Sequence, residues 1–272
     1  KLVYRTPATR KLIHKVAGKK LYKTFGGRLK FFGIGGAKLD YYVERFLKEA
    51  GFPYAIGYGL TETAPLLAGA APHQTVLQST GYPLEDVELK IHEPNEEGFG
   101  EIWAKGPNVM VGYYKNPEAT EEVLTPDGWF RTGDLGMFDK KNRLFIKGRS
   151  KNTIIGASGE NIYPEDIESV INNTAYVSES LVIEEDGFLV AKILLDLEAA
   201  EKNIEHIKTI LEEKKDHYHE WRNQLRKDIN SRLGRSSQIN RIDIMEGPFE
   251  KTASQKIKRF IYQKAKKNKD KS

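Results

Sequence analysis

Apolar and polar positions change their rhythm along this chain. Arg10 to Phe25 interleaves basic and apolar residues and reads as a basic helix or connector. Arg28-Leu29-Lys30-Phe31-Phe32-Gly33-Ile34 is a short strand pattern that ends in the turn Gly35-Gly36-Ala37. Tyr41 to Glu49 follows the helical period, with Tyr42, Val43, Phe46 and Leu47 able to share one face, and Gly51 stops it. Tyr54 to Tyr58 is a second short strand, and Gly59 opens a loop. The order strand–turn–helix–strand predicts the last piece of an α/β layer.

After about Ala71 the alternation becomes that of strands. Val87-Glu88-Leu89-Lys90-Ile91 and Glu101-Ile102-Trp103-Ala104 alternate apolar with polar, and Pro94-Asn95, Gly98, Gly106-Pro107 and Asp127-Gly128 punctuate them. Gly81 to Lys147 is therefore expected to be mostly β, a small distorted barrel or curled sheet. One hairpin of it turns at Asp139–Asn142. A boundary is expected at Gly148 to Lys151. Beyond it, Pro164 to Asn173 opens like a helix, with Pro and acidic residues first. Val177–Glu184 and Phe188–Leu195 read as strands joined at Asp186-Gly187. Tyr218, Trp221, Leu225, Ile229 and Leu233 fall at helical spacing, Ile239–Met245 reads as a strand, and a basic helix closes the chain. The predicted architecture is an α/β remnant over 1–72, a β-rich (distorted barrel) subdomain over 73–147 and a small α+β C-terminal domain over 148–272.

Composition narrows the function classes. No apolar run reaches the roughly 18 residues that a membrane span needs, and Lys1 to Lys23 lacks the apolar core of a secretory signal. The absence of cysteine excludes disulfides, thiolate metal sites and thiol nucleophiles, and it is compatible with the cytoplasmic location we expect. The net charge of +5 owes part of its excess to Lys264, Lys266, Lys267, Lys269 and Lys271. That run reads as a solvated helix end. Without aromatics after Tyr262 it does not suggest nucleic acid. The chain begins at Lys1 without Met and is expected to be a piece of a longer protein.

Each candidate motif admits two chemistries. Tyr58-Gly59-Leu60-Thr61-Glu62-Thr63 fits ordinary helix capping, or a phosphate at Thr61 and a Mg²⁺ at Glu62. Gly35-Gly36-Ala37 fits a tight turn, or a side-chain-free wall against a flat ring. In Arg131-Thr132-Gly133-Asp134-Leu135 the carboxylate either closes a turn or grips two vicinal hydroxyls. Lys147-Gly148-Arg149-Ser150-Lys151 and Gly156-Ala157-Ser158-Gly159-Glu160-Asn161-Ile162-Tyr163-Pro164 fit a surface hairpin, or a hinge plus a swinging loop. Lys251-Thr252-Ala253-Ser254-Gln255-Lys256-Ile257-Lys258-Arg259, taken alone, is a basic loop entering a helix.

The order and spacing of these motifs, together with Gly100-Glu101-Ile102-Trp103-Ala104-Lys105-Gly106 and Gly112-Tyr113-Tyr114, resemble the later signatures of the adenylate-forming superfamily. That superfamily holds acyl-CoA synthetases, luciferases and peptide-synthetase adenylation domains. The resemblance runs from Phe32 to Arg259 and looks most like bacterial long-chain fatty-acid–CoA ligases in Gly57–Pro65 and Asn161–Pro164. It implies substrates ATP, coenzyme A and a fatty acid or other carboxylic acid, with Mg²⁺ as cofactor. It implies no nucleic-acid or protein partner, and at most a peripheral membrane contact for a lipid substrate. It further implies that 1–147 closes a large AMP-binding domain and that 148–272 is a mobile one. Carried over residue by residue, Gly35, Gly36, Ala37 and Tyr58 would border adenine, with Gly59 in the same nucleotide site. Thr61 would touch phosphate, Glu62 would serve Mg²⁺, and Asp134 would hold the ribose with Arg149 beside it; Thr61 and Arg149 would count with Lys256 as catalytic. Lys151 would be the hinge, Gly159 would line the pantetheine path, and Lys256 would be the adenylation lysine.

Two departures qualify this. The family's usual Gly before the adenylation lysine is Gln255 here, which leaves Lys258 as the fallback for Lys256. The Ser/Thr/Gly-rich phosphate loop is absent from Lys1 to Ser272, so the chain alone is expected to be inactive. Rival readings are a ligase for an aryl or short-chain acid, a non-catalytic AMP-binding module, and a basic surface protein.

Overall fold

The computed structural model describes residues 6–196, 215–253 and 255–263, of which 215–218 by backbone alone. The fold is mixed α/β and divides into two units, Lys1–Lys151 and Asn152–Ser272.

In the first unit, α1 (Pro7–Thr24) starts where Thr6 accepts a hydrogen bond from the Thr9 amide and Pro7 presets the first turn. It packs on α2 (Tyr41–Ala50). A side chain at Gly18 would come within 2.5 Å of the Ala50 Cβ, so the helices meet where one has no side chain. Asp40 caps α2, accepting from Tyr42 and Val43, and Gly51 ends it with φ +69°. The buried face of α2 differs from the expected one. Leu47 is buried, but Tyr42 and Val43 are exposed, and Glu44 is fully buried instead. Its carboxylate accepts from the Tyr54 hydroxyl at 3.1 Å and from Gln78 N and Nε2 at 2.7 Å each, which offsets the desolvation that an unpaired charge would suffer. Strands β1 (Phe32–Ile34) and β2 (Tyr54–Ile56) run parallel, Phe32 opposite Tyr54 and Ile34 opposite Ile56. Thus β1 starts four residues later than the apolar pattern at Arg28 suggested; the stretch before it instead hands the Leu29 carbonyl to the Tyr22 hydroxyl.

The rest of this unit is one antiparallel sheet. Strands β3 (Tyr58–Gly59), β4 (Leu66–Gly69), β5 (Ser79–Pro83), β6 (Glu88–His92), β7 (Gly100–Lys105), β8 (Phe130–Phe138) and β9 (Leu144–Arg149) lie in the order β3-β4-β5-β9-β8-β7-β6. The sheet takes in β3 and β4, upstream of the change of pattern near Ala71. The β8–β9 hairpin turns at the expected place, where Asp139 Oδ1 accepts from Lys141 N and Arg143 N. Leu67, Ala68, Ile102, Ala104, Phe130 and Leu144 form the core. A helix, α3 (Pro117–Val123), stands between β7 and β8. Its seven residues are too few to show a period, and the cap Asn116 followed by Pro117 was its only mark.

In the second unit, a small hairpin, β10 (Ile154–Ile155) and β11 (Asn161–Ile162), leads into α4 (Pro164–Asn172). Strands β12 (Val177–Glu185) and β13 (Phe188–Leu195) turn at Asp186-Gly187, both with positive φ, as a two-residue hairpin with right-handed twist prefers. After α5 (Lys215–Asn230), β14 (Arg241–Ile244) adds in parallel to β13. The apolar runs of β12 and β13 are buried on both faces. Val182, Ala191 and Ile193 pack with Ile167, Ile171, Leu225 and Ile229 on one side, and Leu181, Ile183 and Val190 pack with Phe249 on the other. Trp221 and Leu233 join the first cluster as the helical spacing suggested. The last described element is the one-turn α6 (Arg259–Tyr262), and the Lys264–Lys271 run, read above as a solvated helix end, lies outside the described residues. Among the described residues no helix is long and apolar enough to cross a membrane.

Candidate functional site

Parallel strands deliver their following residues to the same edge, and that edge is where α/β layers bind ligands. Here the pairing of β1 with β2 continues through Gly57 N, which donates to the Ile34 carbonyl at 2.9 Å. The exposed turn Gly35-Gly36-Ala37 therefore lies beside Gly57-Tyr58. A Cβ on Gly35 would sit 3.5 Å from the Gly57 carbonyl oxygen, and Gly36 has φ +85°. The chain then leaves this layer as β3 and pairs with β4. A Cβ at Gly59 would fall 1.6 Å from the Pro65 carbonyl oxygen, so no other residue fits without moving the backbone.

Between β3 and β4 the chain makes a short 3-10 turn, Thr61–Thr63. The hydroxyl that caps it belongs to the buried Thr63, which accepts from Leu60 N at 3.0 Å. Thr61 is thereby left exposed, and Glu62 is half-buried beside it. The Glu62 backbone carbonyl accepts from Met110 N at 2.8 Å, and its Oε1 accepts from the Tyr113 hydroxyl at 3.0 Å. Burial, and then the Glu62 carboxylate, raise the Tyr113 phenol above its ordinary range, so it stays a donor.

Asp134 reaches the same place from the large sheet. Gly100 and Glu101 of β7 face Gly136 and Leu135, whereas Trp103 faces Arg131, so Thr132-Gly133-Asp134 bulges out of the ladder. Gly133 supplies the φ of +69°, and its amide donates to Glu101 Oε1 at 3.0 Å. Glu101 Oε2 in turn accepts from Trp103 Nε1 at 2.9 Å. Thr132 Oγ1 donates to the Ile102 carbonyl at 2.7 Å and accepts from Asp134 N at 3.1 Å. The motif is therefore a pinned bulge and not a chain-reversing turn. Asp134 lies opposite Arg149 in the β8–β9 register, with Oδ1 2.8 Å from Arg149 Nε and Oδ2 2.9 Å from the Tyr58 hydroxyl. Burial, and then the Asp134 carboxylate, push the Tyr58 phenol far above its usual range, which fixes it as the donor. The Asp134 side chain is only 10% exposed, while that of Arg149 is 39% exposed.

The first unit thus brings Gly35, Gly36, Ala37, Tyr58, Gly59, Thr61, Glu62, Asp134 and Arg149 to the ends of β1, β2 and β3 and the bulge of β8. Lys151 is exposed in a 3-10 turn, Ser150–Asn152, at the end of this unit. In the second unit, Gly159 is exposed in the β10–β11 turn with φ +84°, and nothing lies within 4 Å of where its Cβ would stand. Lys256 is exposed on a loop closed by the Lys251–Ile257 bridge, where Thr252 N donates to the Lys256 carbonyl at 2.8 Å. The fallback Lys258 instead lies 3.6 Å from Glu250. Thr63, Glu101 and Tyr113 all stand in the sequence motifs but are not among the site residues that the sequence suggests; only folding reveals which partner each one meets. Among the described residues no three His, Cys, Asp or Glu cluster as a metal cage. Mg²⁺ commonly takes one or two carboxylates and completes its shell with phosphate oxygens and waters, so Glu62 fits as a lone protein ligand.

Residues 2–114 match the AMP-binding enzyme family. The chain is 34% identical over 210 residues to a probable acyl-activating enzyme 16 of Arabidopsis thaliana, covering 70% of this chain and 28% of that protein. It is 36% identical over 170 residues to long-chain-fatty-acid–CoA ligase 1 of Saccharomyces cerevisiae, covering 60% of this chain and 24% of that one. Among solved structures, it resembles o-succinylbenzoate coenzyme A synthetase from Bacillus subtilis in complex with AMP. That match has a TM-score of 0.72 and 27% identity, over 92% of this chain and 50% of that one. The same enzyme with ATP and magnesium ion gives a TM-score of 0.68 and 27% identity, over 89% and 49%. The chain therefore spans about a quarter of the curated relatives and half of the solved ones.

Proposed function

This chain is a homologue of the adenylate-forming enzymes, and from that premise we propose that it carries the later part of a long-chain fatty-acid–CoA ligase site. The observation that carries this reading is the Tyr58–Asp134–Arg149 cluster beside the bare Gly35–Ala37 turn. A flat base fits against side-chain-free backbone. A buried carboxylate held in place by a phenol and a guanidinium is pre-oriented to accept from a ribose diol. The long-chain specificity rests on relatives named for long-chain acids, at identities of 34–38%.

In the first half-reaction, an oxygen of the fatty carboxylate bonds to the α-phosphorus of ATP, and the bond from that phosphorus to the bridging oxygen of pyrophosphate breaks. Negative charge crowds the phosphorus as this happens. The Lys256 ammonium would stabilise that arrangement more than the ground state, with Thr61 donating to a phosphoryl oxygen. Glu62 would hold Mg²⁺, which supplies charge neutralisation to the phosphates. In the second half, the CoA thiol loses its proton to solvent and its sulfur bonds to the acyl carbon, the carbon–oxygen bond to phosphate breaks, and AMP departs with that bond's electron pair. Gly159, with no side chain, would leave room for the pantetheine arm. On this reading Lys151 is the hinge. The residues Lys1 to Ser272 alone, which include no phosphate loop, would not form the adenylate.

The test separates the two halves in the full-length protein. Lys256→Ala should lower acid-dependent pyrophosphate exchange by at least about 100-fold, the scale of one lost transition-state contact. It should leave CoA transfer from a pre-made acyl-adenylate near its original rate. Gly159→Leu should do the reverse, with thermal melting to discount the strain of a left-handed Leu. Equal slowing of both halves by Lys256→Ala would refute the assignment.

A further inference from the structure

The loop that bears Lys256 is clamped at both stems. On one side Lys251 pairs with Glu179 of β12. On the other, Arg259 enters a closed ring of contacts. Its Nη2 lies 2.5 Å from Glu168 Oε2 and 3.8 Å from Glu165 Oε1, and its Nη1 donates to the Val182 carbonyl at 3.1 Å. Glu168 Oε1 accepts from the amide of the same Val182 at 2.7 Å. One residue of β12, through both its amide and its carbonyl, one carboxylate of α4 and the Arg259 guanidinium are thus joined, the last two across 91 residues of sequence.

This is an unusual expense for stability alone. The Arg259 and Glu168 side chains are only 18% and 12% exposed, and burying such a pair is often no better than packing two apolar residues. Burial raises the Glu168 carboxyl above its usual range, with Arg259 pulling it back. What an ion pair adds over an apolar contact is a fixed direction. Arg259 stands three residues from Lys256, a span of at most about 10 Å of extended chain. Glu168 stands on α4, which β11 joins to the turn that holds Gly159.

We propose that Arg259 and Glu168 form a positioning pair that fixes the Lys256 loop, acting on adenylation through Lys256 without touching substrate. The proposal rests on the reading of Lys256 given above. It predicts a defect confined to the half-reaction that uses Lys256.

In the full-length protein, Arg259→Met should lower the kcat of pyrophosphate exchange by about 10- to 100-fold, as expected for a catalytic group displaced by about an ångström. The KM for ATP and the CoA-transfer half should be unchanged. Trypsin should cut after Lys256 faster than in the parent. Arg259→Lys should recover part of the loss, and in a Lys256→Ala background Arg259→Met should cost nothing more. If Arg259→Met does not fold, Glu168→Gln, which keeps shape and acceptor, should give a smaller loss in the same half-reaction. Equal loss in both halves, no loss at all, or a loss that multiplies with that of Lys256→Ala would overturn the pair while leaving Lys256 in its role. Full exchange activity in Lys256→Ala would overturn the underlying reading, and the pair with it.

Discussion

An L-residue in the left-handed region costs about 1–2 kcal/mol that glycine escapes, while glycine loses about 0.5–1 kcal/mol of extra backbone entropy on folding. Gln255 occupies that region with φ +62°, at the position where the resembling family has glycine. Gln255→Gly should therefore stabilise the chain slightly, by no more than about 1 kcal/mol, and Gln255→Val should destabilise it by about as much. Chemical denaturation of both variants measures this; a clear loss on going to glycine would contradict the left-handed backbone. Other residues were legible only in part. Tyr58, Asp134 and Arg149 could be picked out because their neighbours form recognisable words, yet nothing in those words says that the phenol points at the carboxylate. Glu44 was hidden altogether. It stands on a helix face that reads as solvated, and its partners Tyr54 and Gln78 come from elsewhere in the chain.

At the scale of elements, period and punctuation located α2, α4 and the β8–β9 and β12–β13 hairpins, since each has a cap or a turn residue with a mechanism behind it. The bulge at Thr132–Asp134 was not legible, because it depends on which residues of β7 stand opposite. The contact of α1 with α2 is a third kind of case. Leu12 and Val16 of α1 are exposed, while Leu21 and Tyr22 pack on the cluster around Leu47. Polar contacts add to this: Arg10 grips Glu49, with Nη2 2.8 Å from Oε1 and Nε 3.0 Å from Oε2, and Arg45 adds a contact at 3.2 Å. The Arg10 hydrogen bonds above all, then that of Arg45, hold the Glu49 carboxyl at about 2, below its ordinary 4.5. A depressed carboxyl contributes stability that is present above the unfolded value and is lost as pH falls through the folded one. The stability difference between the parent and Glu49→Gln should therefore be greatest above about 4.5 and vanish toward about 2. Urea titrations across that range measure it, and a difference that stays constant with pH would show that Glu49 is not held by these arginines.

At the scale of the whole chain, the two units meet in sequence at Lys151 and Asn152. Each has its own core, the first around Leu67, Ile102 and Phe130, the second around Ile167, Ile193 and Ile229. On the proposed reading the second unit must present Lys256 for one half-reaction and the Gly159 turn for the other. A rigid-body change of that kind needs large rotations at only one or two residues. Lys151 is exposed, lies in a single 3-10 turn and is not glycine, so its rotation must pass between ordinary allowed regions. Proline at 151 would fix φ near −65° and remove the amide donor. Lys151→Pro should then keep much of one half-reaction and lose most of the other, whereas Lys151→Ala, with similar φ/ψ freedom, should disturb both only slightly. Adenylation and CoA transfer measured separately in the full-length protein, with melting temperature as the control for folding, decide it. A Lys151→Pro protein that melts like its parent and runs both halves evenly would place the rotating residue elsewhere in the Gly148–Asn152 stretch.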